Sequence, residues 1–124
     1  MRLAGALSLG AAAIVVAAAR ADSAVPSPTS PAAARQVTVR LGEYFYRPKR
    51  ITVAAGTPIR FLNVGKIEHT VADSTSSGTI RGRLIHPRPL RRGQSQTVVL
   101  RRPGTVHYLC TFHPTLMRGV IVVR

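Results

Sequence analysis

From residue 36 to the C-terminus the chain never sustains a 3.6-residue apolar period. It runs instead in apolar stretches of four to six residues cut by turn-forming residues. The stretches 37–41, 51–54, 58–63, 70–73, 80–85, 97–100, 105–110 and 119–123 read as strands, with Gly56, Gly65, Gly78, Gly93 and the pair Pro103 and Gly104 between them. So many short strands carry more apolar surface than one sheet face can cover. The expected fold class is therefore all-β: a Greek-key β-sandwich of two antiparallel or mixed sheets. In such a sandwich, loops at one end gather residues that lie far apart in sequence.

The strands begin only after a differently composed N-terminal third. Residues 1–21 read as a signal peptide: Arg2 gives a positive start, 3–19 are apolar, and Ala19, Arg20 and Ala21 place small residues where a signal peptidase cuts, before Asp22. The competing reading is an uncleaved membrane anchor, for which the run falls a little short of a span of about 20 residues. Its alanine content favours cleavage, because alanine inserts weakly. Residues 22–35, with Pro26, Pro28 and Pro31 among Ser, Thr and Ala, cannot bury enough apolar surface to order themselves and read as a disordered linker. The folded domain is then 36–124. The protein is expected to be exported to the periplasm or the extracellular space, and to be membrane-associated if the first segment is retained.

Cys110 is the only cysteine, so no internal disulfide can form. An exported thiol left exposed would oxidise or cross-link, which makes a metal or deep burial its natural protection. Its surroundings favour a metal. Within one short loop stand Cys110, His113 and Met117, a thiolate, an imidazole and a thioether. A thiolate with two neutral imidazoles and a long, weak axial thioether suits copper in both oxidation states. His69, at the start of an apolar run 41 positions before Cys110, is the best candidate for the second imidazole. Zinc is the weaker choice, since structural zinc prefers several thiolates or a closed thiolate and imidazole tetrahedron. Each of these residues alone would be ordinary packing: Cys110 a small hydrophobe, His69 a strand-end histidine, Met117 core filling. The combination favours a metal.

The other two histidines are set aside. Strand alternation in 105–110 puts Val106, Tyr108 and Cys110 on one face and His107 on the other. His86 is followed by Pro87 and Pro89 in an arginine-rich loop and reads as solvated. No carboxylate pair for acid–base work stands out among Asp22, Glu43, Glu68 and Asp73, and no phosphate-binding glycine loop or nucleophile elbow is present. The chain reads as a non-enzyme with no small-molecule substrate.

Residues 36–124 resemble the cupredoxins, the small type 1 blue copper proteins, and most of all their amicyanin and plastocyanin branch. The resemblance is carried by Phe45, Pro48, Ile51, Val53, Gly56 and Phe61 to Asn63, then by His69, Thr70 and Val71. It continues through Pro103, Gly104, Tyr108, Cys110, His113, Pro114, Met117, Gly119 and the last strand. It implies one type 1 copper per chain with His69, Cys110 and His113 as strong equatorial ligands and Met117 as the weak axial one. Three residues separate His113 from Met117, one more than in amicyanins and one fewer than in plastocyanins. Thr70 stands where many relatives have asparagine; its hydroxyl is expected to tie across to the ligand loop near Thr111. The binuclear variant of the fold is disfavoured, because it resembles a two-cysteine loop. The resemblance also implies that His113 lies at the surface in an apolar ring to which Phe112, Pro114 and Leu116 contribute, although Phe112 serves equally as loop packing.

The expected function is single-electron transfer between redox partners. The alternatives are a copper carrier or chaperone and a metal-free secreted β-sandwich structural module. The 18 basic residues against four acidic ones give a formal charge of +14. Removal of Arg2 and Arg20 with the leader leaves 16 against four, or +12. Such a field attracts acidic proteins or anionic lipid headgroups. The expected partner of the monomer is an acidic redox protein, such as a cytochrome, or an anionic membrane surface. Export and the scatter of the basic residues argue against nucleic acid.

Overall fold

A computed structural model describes residues 35–124 together with Gly5, Gly10 and Ala12. The expected signal peptide and almost all of the expected linker lie outside the described residues. Among the described residues no helix is long and apolar enough to cross a membrane.

Among the described residues eight strands form two mixed four-stranded sheets, so the all-β sandwich is the observed architecture. The first sheet has the order β2-β1-β4-β6, built from β1 (Val37–Gly42), β2 (Phe45–Arg47), β4 (Pro58–Asn63) and β6 (Ser95–Val99). The second has the order β3-β8-β7-β5, from β3 (Arg50–Val53), β8 (Arg118–Val123), β7 (Gly104–Leu109) and β5 (Ala72–Ser74). Each sheet contains one parallel pair, β1 with β4 and β3 with β8, and the remaining pairs are antiparallel. The β4–β5 connection crosses from the first sheet to the second and the β7–β8 connection joins neighbours within the second, and the two meet through Thr70 and Thr111.

Strict alternation made the long strands legible. In β4, Ile59, Phe61 and Asn63 are buried while Pro58, Arg60 and Leu62 are half-buried; in β8, Gly119, Ile121 and Val123 point inward. Val39, Leu41, Ile59 and Phe61 of one sheet meet Ile51, Val53, Tyr108 and Ile121 of the other. Tyr108 lies at the centre, edge-on to Tyr46 at 4.7 Å and to Phe61 at 5.4 Å between ring centroids. Its ring needs the absence of a side chain at Gly119, the facing residue in the β7–β8 register, where an added Cβ would overlap the Tyr108 ring. Gly119→Ala is therefore expected to destabilise the domain by about 1–3 kcal/mol through overpacking, read as a lower denaturant midpoint at unchanged slope.

Three elements differ from expectation. Residues 80–85 are not a strand; only an isolated bridge from Ser74 to Ile80 remains. Asp73 takes the amides that a ladder would have used: its Oδ1 accepts from Leu84 N at 2.9 Å and Ile85 N at 2.8 Å, and its carbonyl accepts from Arg81 N and Gly82 N. Gly82 turns there at a φ of 61°, leaving Ile85 buried and Leu84 58 % exposed. Second, β2 was not anticipated, being three residues long and followed directly by Pro48. Third, β5 starts at Ala72 rather than Thr70, because Thr70 is engaged with the loop after β7.

Candidate metal centre

The β4–β5 connection delivers His69. Asn63, fully buried at the end of β4, organises this loop: its Nδ2 donates to the carbonyls of Ile67 at 2.8 Å and Leu90 at 2.6 Å, and its Oδ1 accepts from Gly65 N. His69 then bridges to Leu90 through two main-chain hydrogen bonds, and its imidazole is wholly buried. Every buried polar group named here has a partner, which is what fixes the ring's position.

Cys110 and His113 come from the β7–β8 connection. This loop is closed by its own main chain: Cys110 N donates to Met117 O, His113 N to Cys110 O, and Leu116 N and Met117 N both to His113 O. Arg118 Nε braces it through the Pro114 carbonyl at 2.7 Å. Met117 is fully buried and belongs to the same core cluster as Cys110. Thr70 links the two connections. Its Oγ1 accepts from Thr111 N at 2.8 Å and lies 2.7 Å from Thr111 Oγ1, while its amide points at Cys110 Sγ at 3.4 Å. Tyr46 Oη in turn donates to the Thr70 carbonyl at 2.6 Å. The expected threonine tie is thus present. Thr70→Val would leave the Thr111 amide without its acceptor and is expected to cost about 1–3 kcal/mol in chemical denaturation.

The geometry brings three of the expected residues to one point. Cys110 Sγ is 4.0 Å from His69 Nδ1 and 3.7 Å from His113 Nδ1, and the three atoms lie within 4.8 Å of one another. A nitrogen about 2.0–2.1 Å and a sulfur about 2.3 Å from a common ion, roughly 120° apart, would be about 3.8 Å from each other. The separations therefore fit a shared metal, and a single thiolate with two imidazoles fits copper better than zinc. His107 stands outside the cluster, half-buried in β7 opposite Ser74 and Val120, and His86 is exposed.

The turn between β1 and β2 contributes two residues that sequence reasoning passed over. Glu43 Oε1 lies 3.1 Å from His69 Nε2 and accepts from the amides of Lys66 at 2.7 Å and Ile67 at 3.0 Å. These bonds, the Ile67 amide foremost, lower its carboxyl pKa to about 2. Tyr44, 46 % exposed, sets its ring edge-on to His113 at 4.6 Å. Neither residue carries a spacing signal, since the turn lies far from both histidines in sequence. In the same loop as His113, Phe112 is 49 % and Leu116 64 % exposed.

Comparisons with known proteins point to one family. The family model described as a cupredoxin-like domain matches residues 9–123, reaching into the segment read as a leader. The chain is 27 % identical over 93 residues to amicyanin-alpha of Methylorubrum extorquens, covering 75 % of this chain and 76 % of that protein. A purple cupredoxin from Nitrosopumilus maritimus superposes with a TM-score of 0.64 at 25 % identity, over 72 % of this chain and 98 % of that one. A copper-containing nitrite reductase from Thermus scotoductus matches with a TM-score of 0.59 at 24 % identity, over 72 % of this chain but 22 % of its own length, a likeness of fold alone. A thiolate and two imidazoles at coordinating separations, on this fold and in a chain so matched, make the protein a member of the cupredoxin-like family whose cofactor is one type 1 copper.

Proposed function

We propose that the protein is an exported electron carrier whose copper would be held by His69, Cys110 and His113, with Met117 as a further, weaker ligand. Copper so held supplies a one-electron couple between Cu(II) and Cu(I). The observation that carries this reading is the convergence of the three donor atoms within 4.8 Å.

The chain's own contribution is rigidity and access. His69 and Cys110 are fully buried, and the Thr70 to Thr111 tie locks the two loops that bear them. Ligands unable to rearrange keep nearly the same positions in both oxidation states, which keeps the barrier to electron exchange small. With the strong donor positions all taken by protein, a substrate has little room to bind, which supports a carrier over an enzyme. The half-buried His113, set among Tyr44, Phe112 and Leu116, supports an electron port that a partner covers with an apolar contact. Excess positive charge supports an acidic redox partner, and the N-terminal apolar segment supports export to the periplasm.

Full burial of two donors weighs against a carrier that hands over its metal. A visible spectrum of the purified, copper-loaded protein tests the choice. Strong thiolate-to-copper absorption is expected; bound copper with only weak colour would favour a copper carrier, and no binding would favour a structural module.

A further inference from the structure

We infer that Glu43 is a positioning residue for the copper, acting through His69: its carboxylate takes the imidazole Nε2–H and biases the couple toward the oxidised ion. The inference rests on the reading of His69 as a copper ligand.

Three observations carry it. His69 presents Nδ1 to Cys110 Sγ at 4.0 Å and Nε2 to Glu43 Oε1 at 3.1 Å, on opposite sides of a ring with no exposure. If Nδ1 gives its lone pair to a metal, the neutral ring carries its proton on Nε2, where the carboxylate accepts it. The carboxylate is itself fixed. The Lys66 and Ile67 amides both donate to the same Oε1, and Gly65 leaves the space it occupies, since a Cβ there would overlap the Glu43 carboxylate. Lastly, the other acidic side chains of the described residues are engaged elsewhere: Glu68 with Arg91 at 3.1 Å, and Asp73 with the Leu84 and Ile85 amides. In a chain of formal charge +14, one negative charge is held against a candidate ligand.

The consequence has a definite sign. A carboxylate accepting from a ligating imidazole makes that imidazole the stronger donor. A fixed negative charge also stabilises the ion of higher charge more than the ion of lower charge. Both effects favour Cu(II) and lower the reduction potential.

Glu43→Gln separates charge from structure, because its amide oxygen still accepts from His69, Lys66 and Ile67. The expected result, measured by redox titration of the copper-loaded protein, is a fall of about tenfold in the ratio of Cu(II) to Cu(I) affinity. That corresponds to a rise of about 59 mV in potential. The thiolate absorption band should stay near that of the parent. A potential that is unchanged or lowered, with the band retained, overturns the role of Glu43 while leaving the copper site standing. Failure of the parent protein to bind copper overturns the site itself. Should Glu43→Gln not fold, nitrogen-proton NMR of the parent copper-free protein decides: a His69 Nε2–H protected from solvent exchange is expected, and a ring protonated at Nδ1 instead overturns the proposal.

Discussion

Cys110→Ser is expected to abolish the intense visible absorption of the copper-loaded protein and to weaken copper binding by more than about 100-fold. The lower bound comes from outer partners of metal ligands, whose loss alone costs about 10–100-fold; a strong donor is worth more. Serine is close in size to cysteine, and the site is held by main-chain bonds that the substitution does not touch, among them Cys110 N to Met117 O and His113 N to Cys110 O. The strand content of Cys110→Ser by circular dichroism should therefore match the parent. Colour retained at parental strength would mean that sulfur is not the origin of the absorption.

The second large effect is electrostatic. With 18 basic and four acidic residues, the chain is expected to exchange electrons with an acidic redox protein far faster at low salt than at high salt. Steering of this kind raises association rates by about 10–1,000-fold. The Debye length shrinks from about 30 Å at 0.01 M to about 3 Å at 1 M ionic strength. Stopped-flow reduction across that range should show the second-order rate constant falling by at least about tenfold, whereas a neutral small-molecule reductant should show little dependence. A flat profile with the acidic partner would remove steering from the account and leave the exposed apolar side chains of the His113 loop as the sole basis of docking.

What could be read from sequence follows from how local each determinant is. The loop from Cys110 to Met117 is legible because its three chemical groups fall within one short segment that closes on itself through main-chain hydrogen bonds. β4 and β8 were legible because their period-two burial is imposed by sheets packed on one face. His69 is readable only through tertiary structure, since it meets Cys110 where the β4–β5 and β7–β8 connections come together. Residues 80–85 misled because their apolar content resembles a strand, while the deciding contacts come from Asp73, a single side chain outside the segment. Glu43 was invisible for a similar reason. It reaches a histidine 26 positions later through a turn whose neighbouring strand, β2, is too short to leave a pattern.

The account stands on one ion held by one sulfur and two imidazole nitrogens, and X-ray absorption at the copper edge of the loaded protein tests that most directly. It predicts one sulfur and two nitrogen scatterers at short range, with the sulfur lost in Cys110→Ser. A first shell of oxygen and nitrogen alone, unchanged by that substitution, would contradict it.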